Sequence, residues 1–97
     1  MLANFTGPSI TFALDYDHCY TLNPRYWDNW LLQARVWGHT VYIVTYRQPS
    51  HPLETKFDIP VYYTDHKAKR AFMESQGIKI AVWIDDKPEA ITTDGLS

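Results

Sequence analysis

Asp15 and Asp17 stand one residue apart in LDYDHCYT, directly after the apolar run at 10–14. Two carboxylates that close repel, so the arrangement costs stability unless a cation or a reaction uses it. A second acidic pair, Asp85 and Asp86, follows another apolar run, IAVWI at 80–84. Between the pairs, TVYIVT (40–45) ends on Thr45 and leads into Tyr46 and Arg47. IPVYY (59–63) leads into Thr64, Lys67 and Lys69. Oxygen donors of this kind suit a hard cation.

Each piece alone has an ordinary structural explanation. A D-x-D is usually a surface turn or a helix cap, and a threonine after a strand usually satisfies backbone groups at the turn. Two lysines opening a helix are usually a solvated face. DDKP is itself a common helix entry, with aspartate as cap and proline in the first turn. Those separate explanations do not predict that all four pieces fall, in order, at the ends of strands.

The elements that must position these residues read as follows. ITFAL, TVYIVT, IPVYY and IAVWI are short, apolar and partly β-branched, the pattern of buried strands. Asn23-Pro24 opens a helix, Trp27, Trp30, Leu31, Ala34 and Trp37 mark its apolar face, and Gly38 closes it. The three tryptophans are expected in the core. Residues 46–58 hold two prolines and read as a surface loop. Ala68, Ala71, Phe72 and Ser75 mark a second helix closed by Gly77, and Pro88 starts a short last one. Strands alternating with helices predict a three-layer, Rossmann-like α/β fold with a small parallel sheet. In such sheets ligands bind outside the carboxyl ends of the strands, where all the polar residues named above lie.

At 97 residues the chain is expected to form one domain with a modest core. A net charge of -2 argues against broad, salt-driven binding to long nucleic acid. Cys19 is the only cysteine, so no disulfide framework or thiolate zinc cluster is expected. No stretch approaches membrane-spanning length. The start MLANFTGPS lacks the basic opening and apolar block of a signal peptide. A soluble, cytoplasmic protein is expected.

ITFALDYDHCYT, VYIVTYR, a helix-leading lysine and VWIDD together resemble the four motifs of the haloacid dehalogenase (HAD) superfamily of phosphohydrolases, over residues 10–91. The chain is similar to small phage and bacterial members. Its T-x-R and I-D-D versions resemble polynucleotide 3'-phosphatase domains and some 5'-nucleotidases. The resemblance implies Asp15 as the nucleophile that forms an aspartyl-phosphate. It implies Asp17 as the acid that protonates the leaving oxygen and then the base that deprotonates water. Mg2+ would be held by Asp15, by the backbone carbonyl at Asp17, and by Asp85 with Asp86 direct or through water. Thr45 would hydrogen-bond a phosphoryl oxygen, and Lys67 or Lys69 would neutralise charge in the transition state. Thr64, Tyr46 and Arg47 would meet the substrate, with Arg47 gripping a further phosphate.

The family pattern follows its second aspartate with glycine and then threonine or valine. Here His18 and Cys19 stand there, and threonine appears only at Thr21. Neither 17–24 nor 46–58 has room for the cap domain that many relatives insert, so the site is expected to be open unless an oligomer covers it. An open site suits a large substrate end, such as a nucleic-acid terminus or a phosphoprotein, and is compatible with a promiscuous small-molecule phosphatase. A nucleotide or nucleic-acid end is the expected substrate. Tyr16, Tyr20 and Tyr46 flank the site, where a base can stack. A domain of this ancestry that binds Mg2+ and a phosphorylated ligand or protein partner without turnover is the alternative.

Overall fold

The structure, a computed structural model, describes residues 7–56 and 58–95. The N-terminal reading therefore lies, up to Thr6, outside the described residues, as does Phe57 of the 46–58 loop. The elements run β1 (Thr11–Leu14), a 3-10 turn (Tyr20–Leu22), α1 (Pro24–Val36), β2 (Thr40–Thr45), β3 (Val61–Tyr63), α2 (Lys69–Ser75), β4 (Val82–Ile84) and α3 (Glu89–Thr92).

The four strands form one parallel sheet in the order β3-β2-β1-β4. Successive side chains of a strand point to opposite faces, so a continuous apolar run feeds two cores at once. Phe12 and Leu14 of β1, Val41 and Ile43 of β2, Val61 of β3 and Ile84 of β4 join one cluster, with Leu31 and Ala34 of α1. Ala13, Tyr42, Val44, Tyr62 and Trp83 join the other, with Phe72 and Met73 of α2. The sheet is thus covered on both faces, as a Rossmann-like architecture requires. Leu14, Leu31, Ile43 and Met73 are sealed from solvent. Each such side chain contributes about 1.5–3 kcal/mol by leaving water.

Local sequence explains where the helices begin and end. The Asn23 side chain accepts the Tyr26 N–H at 3.2 Å, and Pro24 fills the first turn of α1, where no N–H is needed. Gly38, at φ 80, closes α1 with the His39 N–H on the Ala34 carbonyl and its own N–H on that of Arg35. Gly77 closes α2 in the same way.

Two expected faces are corrected. Trp27 and Trp30 pack against the core, but Trp37 is 52% exposed. Ten residues at about 100° each carry it roughly 80° off the direction of Trp27, beyond the buried stripe. In α2 the inward residues are Lys69, Phe72 and Met73, while Ala71 and Ser75 face solvent. Ala68 is the N-cap rather than a face position.

The chain runs outward from β1 to β2 to β3, then crosses back to lay β4 on the far edge of β1. Strand order reverses beside β1, which opens a crevice at the carboxyl ends of β1 and β4. The connection from β2 to β3 holds no helix or strand among its described residues. Among the described residues no helix is long and apolar enough to cross a membrane.

Candidate active site

Asp15 follows β1 and takes its place in the sheet edge, its N–H donating to the Ile84 carbonyl at 2.9 Å. That bond ties the end of β1 to the end of β4, so Asp15 meets Asp85 and Asp86. The three carboxylates offer oxygen atoms that all lie within 4.8 Å of one another. Lys69 reaches up from the first turn of α2. Its Nζ donates to Asp15 Oδ1 at 2.8 Å and Asp85 Oδ2 at 2.6 Å. The Lys69 side chain is 2% exposed and that of Asp85 3%. The second Asp85 oxygen accepts the Lys87 N–H at 2.9 Å.

One cation among three carboxylates leaves negative charge uncompensated, and only Asp86 of the three is exposed to water. Asp15 responds: burial, with a hydrogen bond to Asp86, pushes its pKa up to about 7 against the opposing pull of Lys69. The donor set is oxygen only, compact and one divalent charge short of neutrality. Those properties fit a hard divalent cation held by Asp15, Asp85 and Asp86.

Asp17 points elsewhere. Both its oxygens are gripped by Arg47, Nη2 at 2.8 Å and Nε at 2.9 Å. The guanidinium holds the Asp17 carboxyl below its ordinary range. Arg47 also donates through Nη1 to the carbonyls of Pro52 at 3.2 Å and His51 at 3.4 Å, and it lies over the Tyr16 ring. The Asp17 side chain therefore lies outside the carboxylate cluster of Asp15, Asp85 and Asp86, and only its backbone carbonyl is expected as a metal ligand.

The two lysines separate clearly. Lys69 is in the cluster; Lys67 is exposed, and its backbone N–H closes a turn on the Thr64 carbonyl. Thr45 and Thr64 are each 1% exposed at adjoining strand ends, linked by the Thr64 N–H to the Thr45 carbonyl at 2.8 Å. Thr45 Oγ1 accepts the Arg47 N–H, whereas Thr64 Oγ1 is buried with no hydrogen-bond partner. Of the three tyrosines expected beside the site, Tyr20 belongs to the core. It is 4% exposed, stacks on Tyr16 and donates to Asp28. Tyr46 does line the site, its hydroxyl bonded to the Thr93 carbonyl and its ring 5.5 Å from the Lys69 ammonium.

The turn after Asp17 is closed by a non-glycine residue. His18 takes a left-handed φ of 61, and its N–H donates to Thr21 Oγ1 at 3.0 Å. Cys19 is buried, and burial pushes its thiol up to about 11, far from the thiolate range of a nucleophile.

Beside the carboxylates lies a cleft of about 340 Å3, lined by Asp17, Tyr46, Arg47, Gln48, His51 and His66. Gln48, His51 and His66 carry no motif that marks them in the sequence. They reach the cleft because the 46–52 turn and the left-handed pair Asp65-His66 place them there. The C-terminal segment braces its wall. Asp94 accepts the Ala68 N–H, and the Gly95 N–H donates to the His66 carbonyl. A Cβ at Gly95 would sit 2.8 Å from the Tyr46 ring, so only glycine fits there.

No protein-family model, curated protein or solved structure matches this chain.

Proposed function

We propose that this chain is a magnesium-dependent, capless phosphomonoester hydrolase of the HAD type, acting on a nucleotide or nucleic-acid phosphate. The supporting observation is the convergence of Asp15, Asp85, Asp86 and Lys69 from two strand ends and a helix start into one cluster, with Lys69 and Asp15 buried and Asp86 at its exposed rim. Taking Lys69, Asp15 and the Asp85 side chain out of water carries a desolvation cost that a bound cation would offset.

In this reading an Asp15 oxygen attacks phosphorus as the bond from phosphorus to the leaving oxygen breaks, giving an aspartyl-phosphate. Asp17 supplies the proton to the leaving oxygen. A water then attacks the phosphorus and gives a proton back to Asp17. The Asp15–phosphorus bond breaks, which releases inorganic phosphate. Bound Mg2+ would supply the positive charge that favours ionised Asp15 and offsets that of the phosphoryl group. Lys69 holds Asp15 and Asp85 in place and adds a fixed charge. The Thr64 hydroxyl has an unused hydrogen bond to give.

One observation favours the second reading, a domain that binds Mg2+ and a phosphorylated ligand or protein partner without turnover. Arg47 keeps Asp17 ionised, the form that accepts a proton but cannot donate one. Donation in the first step requires Arg47 to let go.

The test is phosphate release from p-nitrophenyl phosphate, nucleotides and 3'- or 5'-phosphorylated oligonucleotides, with Mg2+ or EDTA, beside Asp15→Asn. Turnover that disappears with chelator and with the variant is expected. Full magnesium-dependent turnover by Asp15→Asn sinks the mechanism. No turnover from a folded protein that binds Mg2+ selects the second reading.

A further inference from the structure

We infer that the cleft beside the carboxylates is a subsite for a second phosphate of the substrate, carried on a nucleoside whose base lies against the cleft's ring wall. The inference rests on the proposal that a phosphate ester reacts at Asp15, and it names the rest of that ester. Asp17 is both a wall of the cleft and the near neighbour of Asp15 in the chain, and Arg47 follows the Thr45 strand end. Cleft and carboxylates therefore share one edge of the sheet.

The chemistry of the wall selects an anion. Among the described residues the one carboxylate lining it is Asp17, and both its oxygens are already taken by Arg47. What remains is the guanidinium once Asp17 leaves it, an amide and two imidazoles, the Tyr46 hydroxyl being held by the Thr93 carbonyl. His66 Nδ1 is buried with no hydrogen-bond partner, and the Asp65 carboxylate lies 3.8 Å from it. A phosphate presents the same pair of oxygens to a guanidinium fork as a carboxylate does, with more charge. Exchange of Asp17 for phosphate thus keeps the fork satisfied and frees Asp17 toward the reacting group. The remaining Arg47 bonds, to the His51 and Pro52 carbonyls, hold the fork in the cleft during that exchange.

The same wall is aromatic. Tyr46 and His66 have ring centroids 5.6 Å apart, and Tyr46 is fixed by its bond to Thr93 and by Gly95 against its ring. Rings held rigid are platforms for bases. About 340 Å3 lies within the roughly 300–1,000 Å3 of small-ligand sites, so a nucleoside phosphate fits.

The experiment measures binding in Asp15→Asn with Mg2+ by calorimetry, where turnover plays no part. The probes are adenosine 3',5'-bisphosphate and the two adenosine monophosphates, 3' and 5'. The bisphosphate is expected to bind at least tenfold tighter than either monophosphate, and Arg47→Ala or His51→Ala should cut that ratio below threefold. His51 lies on an exposed turn, so its variant keeps the test decisive if Arg47→Ala does not fold. Equal binding, a ratio unchanged in both variants, or no binding to folded protein overturns the subsite. Wild-type turnover of p-nitrophenyl phosphate is scored separately. Turnover with no bisphosphate preference rejects the subsite alone. A cleft-dependent preference with no turnover keeps the subsite and rejects the phosphatase.

Discussion

Two aspartates one residue apart each hold a cation at 2.8 Å, and the two pairs behave in opposite ways. Asp15 and Lys69 have side chains 9% and 2% exposed; Asp17 and Arg47 are 43% and 33% exposed. In the buried pair, lost hydration outweighs the attraction, and Asp15 rises to about 7. At the rim, water still solvates both partners, the bidentate bond to Arg47 dominates, and Asp17 falls below its ordinary value. Contact distance is the same, so the surroundings decide what each carboxylate can do. The inner one is costly without more positive charge, which suits a cation site. The outer one is satisfied and exchangeable.

The sharpest way to break this comparison is to remove each cation in turn. Lys69→Met leaves Asp15 and Asp85 buried without their counter-charge, and the loss is expected to be about 3–5 kcal/mol. Arg47→Met removes a pair that water already screens, and the expected loss is about 1 kcal/mol or less. Urea unfolding of both variants in EDTA at pH 7.5 measures the difference. Equal losses would mean that burial does not separate the two pairs.

The next effect is one of pH. Asp15 has a folded pKa of about 7 against an ordinary 3.8, so the folded state holds the proton more tightly than the unfolded chain. Its contribution to stability is therefore fully present below pH 3.8 and lost as pH rises through 7. The rise from 3.8 to about 7 sets an upper figure of about 4 kcal/mol. Asp17 has the opposite sign: its smaller contribution is present above the ordinary carboxylate pKa and lost as pH falls below it. Metal-free wild type compared with Asp15→Asn between pH 4 and 8.5 isolates the first term. The variant is expected to gain on wild type as pH rises. Added Mg2+ should stabilise wild type more at pH 8 than at pH 5, because ligation needs the deprotonated carboxylate. A flat difference between the proteins would remove burial as the cause of the Asp15 shift.

The inner site was more legible in the sequence than the outer one, for physical reasons. Apolar runs ending on Asp15, Thr45, Thr64 and Asp85 announce strands whose ends carry polar groups, and the parallel sheet follows from their lack of alternation. What the runs do not state is strand order, and it is β4 lying against β1 that brings Asp85 to Asp15. Lys67 and Lys69 are both candidates that residue type and spacing do not separate, and Lys69 is the one that turns inward. It stands four residues before Met73 on the inward face of α2, where a lysine reads as solvent-facing until its buried partners are known. The expected strands over 59–63 and 80–84 begin later, at Val61 and Val82; Pro60, with no N–H to give the ladder, marks the first of these limits. The Asp17–Arg47 pair joins residues 30 apart through two irregular turns, and no periodicity records the path of a turn.

The smallest expected effect bears on the turn that carries Asp17 and leaves Asp15 alone. His18 sits at φ 61, where a side chain costs roughly 1–2 kcal/mol. Glycine removes that cost, but it has more unfolded freedom to lose, roughly 0.5–1 kcal/mol. His18→Gly is therefore expected to stabilise the protein by about 0.5 kcal/mol, read from the urea midpoint. The Thr21 hydroxyl still receives the backbone N–H at position 18, so the turn keeps its anchor. His18→Val should lose about 1 kcal/mol or more, since a β-branched side chain is worst in this conformation. Both variants should leave the pH difference between wild type and Asp15→Asn unchanged, because that term belongs to the buried cluster. If His18→Gly altered it, the inner and outer carboxylates would be one coupled site, and the contrast between them would fail.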